Sequence, residues 1–100
     1  MQLREYQKIK ERVWFDTLEN GLAVYVIPKK GFFKSTAVFA TKYGGSDRRF
    51  KLGGEWHDTP AGVAHFLEHK MFAKKDVNVM QQFSALGASP NAFTSSGMTA

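Results

Sequence analysis

The sequence contains no cysteine. Disulfides and thiolate metal sites are thereby excluded, and any metal must be held by His, Asp or Glu. Long hydrophobic runs are missing as well. The longest, "LAVYVI" at 22–27, is strand-sized and well short of the roughly 20 residues that cross a bilayer. No membrane partner is expected. The opening stretch "MQLREYQKIKERVW" lacks the apolar segment of a secretory signal, and Glu5 and Glu11 break the acid-poor pattern of a mitochondrial transit peptide. A cytoplasmic location is the resulting expectation. Internal repeats and low-complexity segments are also absent.

What is present is the composition of a globular chain. One hundred residues suit a single domain, and 43% hydrophobic with 23% charged residues does not suit disorder. The net charge of +5 and a pI near 9.6 raise the question of an anionic partner. The basic residues, however, come in scattered pairs (Lys29-Lys30, Arg48-Arg49, Lys74-Lys75) and form no helical stripe. They read as solvated surface charge, and no nucleic-acid partner is expected.

Residues 2–12 are polar and predict a short helix or an extended lead-in. "VWFDTL" and "GLAVYVI" are two β-rich runs around Asn20-Gly21, which predicts a hairpin closed by a type I′ turn. Pro28 ends the second run, because it cannot donate to a ladder. "STAVFATKYG" at 35–44 reads as a third strand, and the glycine-rich stretch 44–58 as a long loop. Thr59 and Pro60 are matched start signals for a helix over "TPAGVAHFLEHKMF". A second short helix is predicted in "DVNVMQQFSALG", with Asp76 as N-cap and Gly87 as its left-handed stop. "SPNAFTSSGMTA" returns to extended sequence. Strands followed by helices, without βαβ alternation, predict an α+β fold with a mostly antiparallel sheet and helices packed on one face.

The chemistry concentrates in "HFLEH" at 65–69. At 100° per residue, His65, Glu68, His69 and Phe72 share one side of the helix, with Val63, Phe66, Leu67 and Met71 on the other. His65 and His69 are one turn apart, roughly 6 Å along the axis, so both imidazoles can converge on one ion. The bland alternative is a polar face with two surface histidines. Such a face ordinarily carries Lys, Glu and Gln, whereas this trio is flanked by Ala61 and Phe72. Catalytic zinc takes three protein ligands and keeps one position open, and a carboxylate that is not a ligand can take a proton from the water there. Glu68 stands where that task needs it. The order H-x-x-E-H is that of the inverzincins, the reverse of H-E-x-x-H.

With its flanks included, the sequence resembles a known family. "GVAHFLEHKMF" followed by "FSALGASPNAFTSSGMTA", with "LENGLAVYVIPKK" and "STAVFATKYGGSD" before it, is similar to the pitrilysin/insulinase-type metallopeptidases, which include the mitochondrial processing peptidases. The resemblance runs from about Glu11 onward and is greatest to a bacterial subgroup of zinc proteases. It implies that His65 and His69 are Zn2+ ligands and that Glu68 is the catalytic base. It implies further that "SPNAFT" is an edge strand along which a peptide or small protein substrate pairs, with Asn91 and Ala92 in contact. For Asn91 the alternative is a plain turn residue after Pro90. Lys70 departs from the family by standing where many relatives are apolar.

The family's third zinc ligand is a downstream glutamate, and its transition-state groups come from a second, similar half. The 100 residues therefore read as an N-terminal piece of a peptidase domain, inert by itself, with the rest of that domain and the second half outside it. Glu55, His57 and Asp58 are the local alternatives for a third ligand. The resemblance implies a zinc-dependent endopeptidase or oligopeptidase. The alternative is a non-catalytic paralogue that scaffolds or presents substrate, although such paralogues usually lose the motif. A homo- or heterodimer is expected for the full-length protein, and self-association through open sheet edges for the piece.

Overall fold

The computed structural model describes residues 1–100 and divides into two compact units, Met1–Thr36 and Ala37–Ala100. The fold is α+β, with antiparallel pairing throughout and two helices. The antiparallel strands are shared among three small sheets.

In the first unit, β1 (Gln2–Tyr6), β2 (Glu11–Thr17) and β3 (Ala23–Val26) form one sheet with β2 in the centre. The polar lead-in is thus a strand. It turns through a single 3-10 turn, Gln7–Ile9, and Lys10 at φ 53° into β2, setting Leu3 opposite Trp14. Period-2 alternation leaves Glu11, Val13 and Phe15 half-buried on one face. Phe15 stacks on its cross-strand partner Tyr25 at 6.4 Å, and the Arg4 guanidinium lies 5.1 Å from the Phe15 ring. Such pairs are what hold a small sheet in register.

The β2–β3 turn falls where Asn20-Gly21 placed it, but its type differs. The Gly21 N–H donates to the Leu18 carbonyl at 2.8 Å, and of the two residues only Gly21 has positive φ, at 85°. The connection is a type I turn followed by a left-handed glycine, the three-residue hairpin loop. The Asn20 side chain accepts from the Leu22 N–H at 3.1 Å, an alternative to its own left-handed turn position.

In the second unit, β4 (Arg49–Leu52) and β5 (Glu55–Asp58) form a hairpin where the sequence predicts a loop. Its two-residue turn, Gly53-Gly54, has φ of 59° and 84°, the pair of positive values that a type I′ turn requires. Phe50 stacks on its partner His57 at 5.7 Å, Tyr43 meets Phe50 edge-on at 6.2 Å, and Arg49 covers Trp56 at 5.0 Å. The expected strand over 35–44 forms no ladder; within it, Thr41 makes an isolated bridge to Thr99.

Helix α1 runs Val63–Phe72, so Thr59 is not its cap and Pro60 is not its first residue. Thr59 instead donates its N–H and its hydroxyl to the Arg48 carbonyl, at 2.7 and 3.0 Å. The N-cap is Gly62 at φ 90°, a conformation that side-chain-bearing residues rarely adopt. A two-residue-per-strand hairpin follows, β6 (Ala73–Lys74) with β7 (Val77–Asn78), and Asp76 lies in its turn at φ 61°. Asn78, not Asp76, caps α2 (Val79–Ala85), accepting from the Gln81 N–H at 3.2 Å. Gly87 ends α2 as the sequence predicts. Its N–H reaches the Ser84 carbonyl and the Ala88 N–H the Phe83 carbonyl, both at 3.0 Å, the two bonds of a Schellman motif.

Apolar burial is slight. Ala64, at 3% exposure, is the buried apolar side chain, while Phe66 and Met71 on α1 are 62% and 66% exposed.

Candidate metal centre and its cleft

The i, i+4 spacing in α1 brings the two imidazoles together. The Nε2 atoms of His65 and His69 are 3.0 Å apart, with ring centroids at 4.8 Å and planes inclined at 57°. Zinc–nitrogen bonds of about 2.0–2.1 Å at a tetrahedral angle hold two nitrogens roughly 3.3 Å apart. The pair therefore fits a shared ion with a shift of a few tenths of an ångström. With no ion, the same contact is a hydrogen bond from one Nε2 to the other, its direction set by the tautomers of the two rings. No third His, Cys, Asp or Glu joins them: Glu55, His57 and Asp58 stand on β5, and the described residues contain no cluster of three such groups. The turn thus brings together two candidate ligand nitrogens, one fewer than the three protein ligands a catalytic zinc takes.

Glu68 is half-buried on the same turn. Its Oε2 accepts a hydrogen bond from the Thr94 hydroxyl at 2.5 Å, across 26 residues of sequence. Thr94 belongs to a small hairpin in which Phe93 and Ala100 exchange N–H bonds at 2.9 and 3.0 Å and the Ser95 N–H reaches the Met98 carbonyl at 2.8 Å. Sequence reasoning missed this hydroxyl, because a single threonine in an extended stretch carries no local signal of what it will meet.

Glu68 and His69 open on a cleft of about 370 Å³, whose walls include Phe72, Met80, Asn91 and Ala92. The structure thus gathers Asn91 and Ala92 beside Glu68 and His69. The Asn91 Oδ1 accepts from the Ala92 N–H at 2.9 Å, which orders the segment locally. Phe66, Leu67 and Met71 are exposed on α1 outside this cleft, and Lys70 reaches over the Phe66 ring at 6.0 Å.

Two likenesses to known proteins support a resemblance of this chain to the pitrilysin/insulinase-like M16 peptidases. The chain is 55% identical over 98 residues to the uncharacterized zinc protease YmfH of Bacillus subtilis (strain 168), a match covering 96% of this chain and 23% of that protein. It also superposes on the crystal structure of a "putative M16-like peptidase" from Alicyclobacillus acidocaldarius with a TM-score of 0.83 and 42% identity. That match covers 89% of this chain and 21% of the other. No family model matches. The chain spans about a quarter of the length of these relatives. No helix is long and apolar enough to cross a membrane.

Proposed function

We propose that the protein carrying this chain is a zinc-dependent metallopeptidase in which His65 and His69 hold the metal and Glu68 is the general base. The observation that carries the reading is the 3.0 Å approach of the two Nε2 atoms on the helical turn that also bears Glu68. Zinc bound there supplies Lewis acidity, which acidifies water and polarises a carbonyl at neutral pH.

The remaining work falls to side chains. Glu68 has one oxygen engaged by Thr94, which leaves Oε1 to take the proton of the attacking water and to return it to the leaving amine. The substrate is a peptide or small protein laid along the cleft. The segment at Asn91 and Ala92 offers main-chain groups to an extended backbone, a mode of binding that is general for peptides.

The test is Glu68→Gln in the intact protein. The expected result is unchanged zinc content with kcat lowered about 10²–10⁴-fold, the usual contribution of general-base catalysis. Full activity in that variant would refute the mechanism. A wild-type protein that binds zinc and cleaves no peptide would favour the non-catalytic subunit.

A further inference from the structure

We propose that Thr94 is a positioning residue for Glu68, its hydroxyl fixing one carboxylate oxygen so that the other is aimed as the base. The inference rests on the functional reading above. A glutamate on a helix has several rotatable bonds and many rotamers, and ordering it costs entropy that some contact must offset. Here the contact is the 2.5 Å bond from Thr94 Oγ1 to Glu68 Oε2, with both residues half-buried.

The donor sits on a restrained backbone. Threonine is β-branched, so its hydroxyl direction is largely set by the backbone. That backbone is a hairpin pinned to residues 41–46: Thr41 and Thr99 exchange N–H bonds at 2.9 and 3.1 Å, the Gly45 N–H reaches the Ser95 carbonyl at 2.8 Å, and the Ser46 N–H reaches the Ser96 carbonyl at 2.9 Å. The hairpin also packs directly on Gly44, where a Cβ would stand 2.5 Å from both the Met98 nitrogen and the Ser95 oxygen. Thr99 Oγ1 lies 3.5 Å from Thr94 Oγ1, but it gives its one proton to the Tyr43 carbonyl at 2.7 Å. No competing donation reaches Thr94, and its own proton goes to Glu68.

The experiment compares Thr94→Val and Thr94→Ser with wild type in the intact protein, reading zinc content, kcat and KM separately. Thr94→Val keeps the shape and removes the donor. Its kcat should fall about 10–100-fold, the scale on which supporting hydrogen bonds act, with KM and zinc content unchanged and more than one Glu68 rotamer in its crystal structure. Thr94→Ser should restore kcat to within about threefold of wild type. In a Glu68→Gln background, Thr94→Val should add no further loss, because the two groups act as one unit. Wild-type kcat in Thr94→Val, a loss of zinc, or a Thr94→Ser variant as impaired as valine would each overturn the proposal. If Thr94→Val does not fold, Thr94→Ala is read by the same criteria. Failure here is distinguishable from failure of the peptidase reading: an inactive Glu68→Gln beside a fully active Thr94→Val would sink the positioning role alone.

Discussion

His65 and His69 face each other across one turn of α1, with their Nε2 atoms 3.0 Å apart. Neither ring is held by tertiary packing, since both residues are exposed in this chain. Their convergence is a property of the helix itself: side chains four apart lie one above the other and lean toward the helix N-terminus. The geometry of the pair therefore depends on α1 being helical from its first residue, which the left-handed Gly62 makes abrupt.

Removing either imidazole should release the metal. In the intact protein, His69→Ala is expected to weaken zinc binding by more than the roughly 10–100-fold that loss of an outer-sphere partner costs. Zinc content after dialysis measures this. Stoichiometric zinc in His69→Ala would remove the ligand assignment.

Two glycines should respond to alanine for different reasons. Gly62→Ala forces a side chain into the left-handed region but meets no neighbour within 4 Å, so its cost is about 1–2 kcal/mol of backbone strain. Gly44→Ala drives a Cβ into the backbone of the hairpin that carries Thr94, an overpacking cost of about 1–3 kcal/mol. Urea midpoints of the intact protein should fall in both. Only Gly44→Ala should also lower kcat at unchanged zinc content, through displacement of Thr94, and a wild-type kcat there would contradict the proposed link.

Asn91→Ala should raise KM several-fold and leave zinc content unchanged, if the segment beside the cleft binds the peptide backbone. Steady-state kinetics on one extended peptide settle this. An unchanged KM would return Asn91 to the role of a turn residue that orders Ala92.

The 100 residues by themselves should associate and bind apolar dyes. Phe66, Leu67 and Met71 are at least half exposed on α1, and β1 and β3 are open sheet edges. Light scattering should show mass rising with concentration, and anilinonaphthalene sulfonate fluorescence should be enhanced. A dye-silent monomer at all concentrations would contradict this.

What was legible in the sequence was local. The histidine pair follows from helical spacing alone, and Gly87 announces its Schellman stop because few other residues accept that conformation. Asn20-Gly21 marked the right turn but not its type, since Asn20 spent its side chain on Leu22 instead of adopting positive φ. The hairpin at 49–58 was hidden because its strands are rich in charge. The Gly53-Gly54 dipeptide, with Phe50 destined to stack on His57, was the signal available. Thr59-Pro60 looked like a helix start, and the competing principle was tertiary: the Arg48 carbonyl claims both donors of Thr59. The Thr94–Glu68 bond joins residues 26 apart and lies beyond any periodicity.

The most direct measurement is X-ray absorption at the zinc edge of the intact protein, wild type beside a His65→Ala/His69→Ala double variant. The account predicts imidazole nitrogens at about 2.0–2.1 Å in the wild type and loss of two such donors, with the metal, in the variant. A zinc spectrum that is identical in the two proteins would place the metal elsewhere and contradict the account.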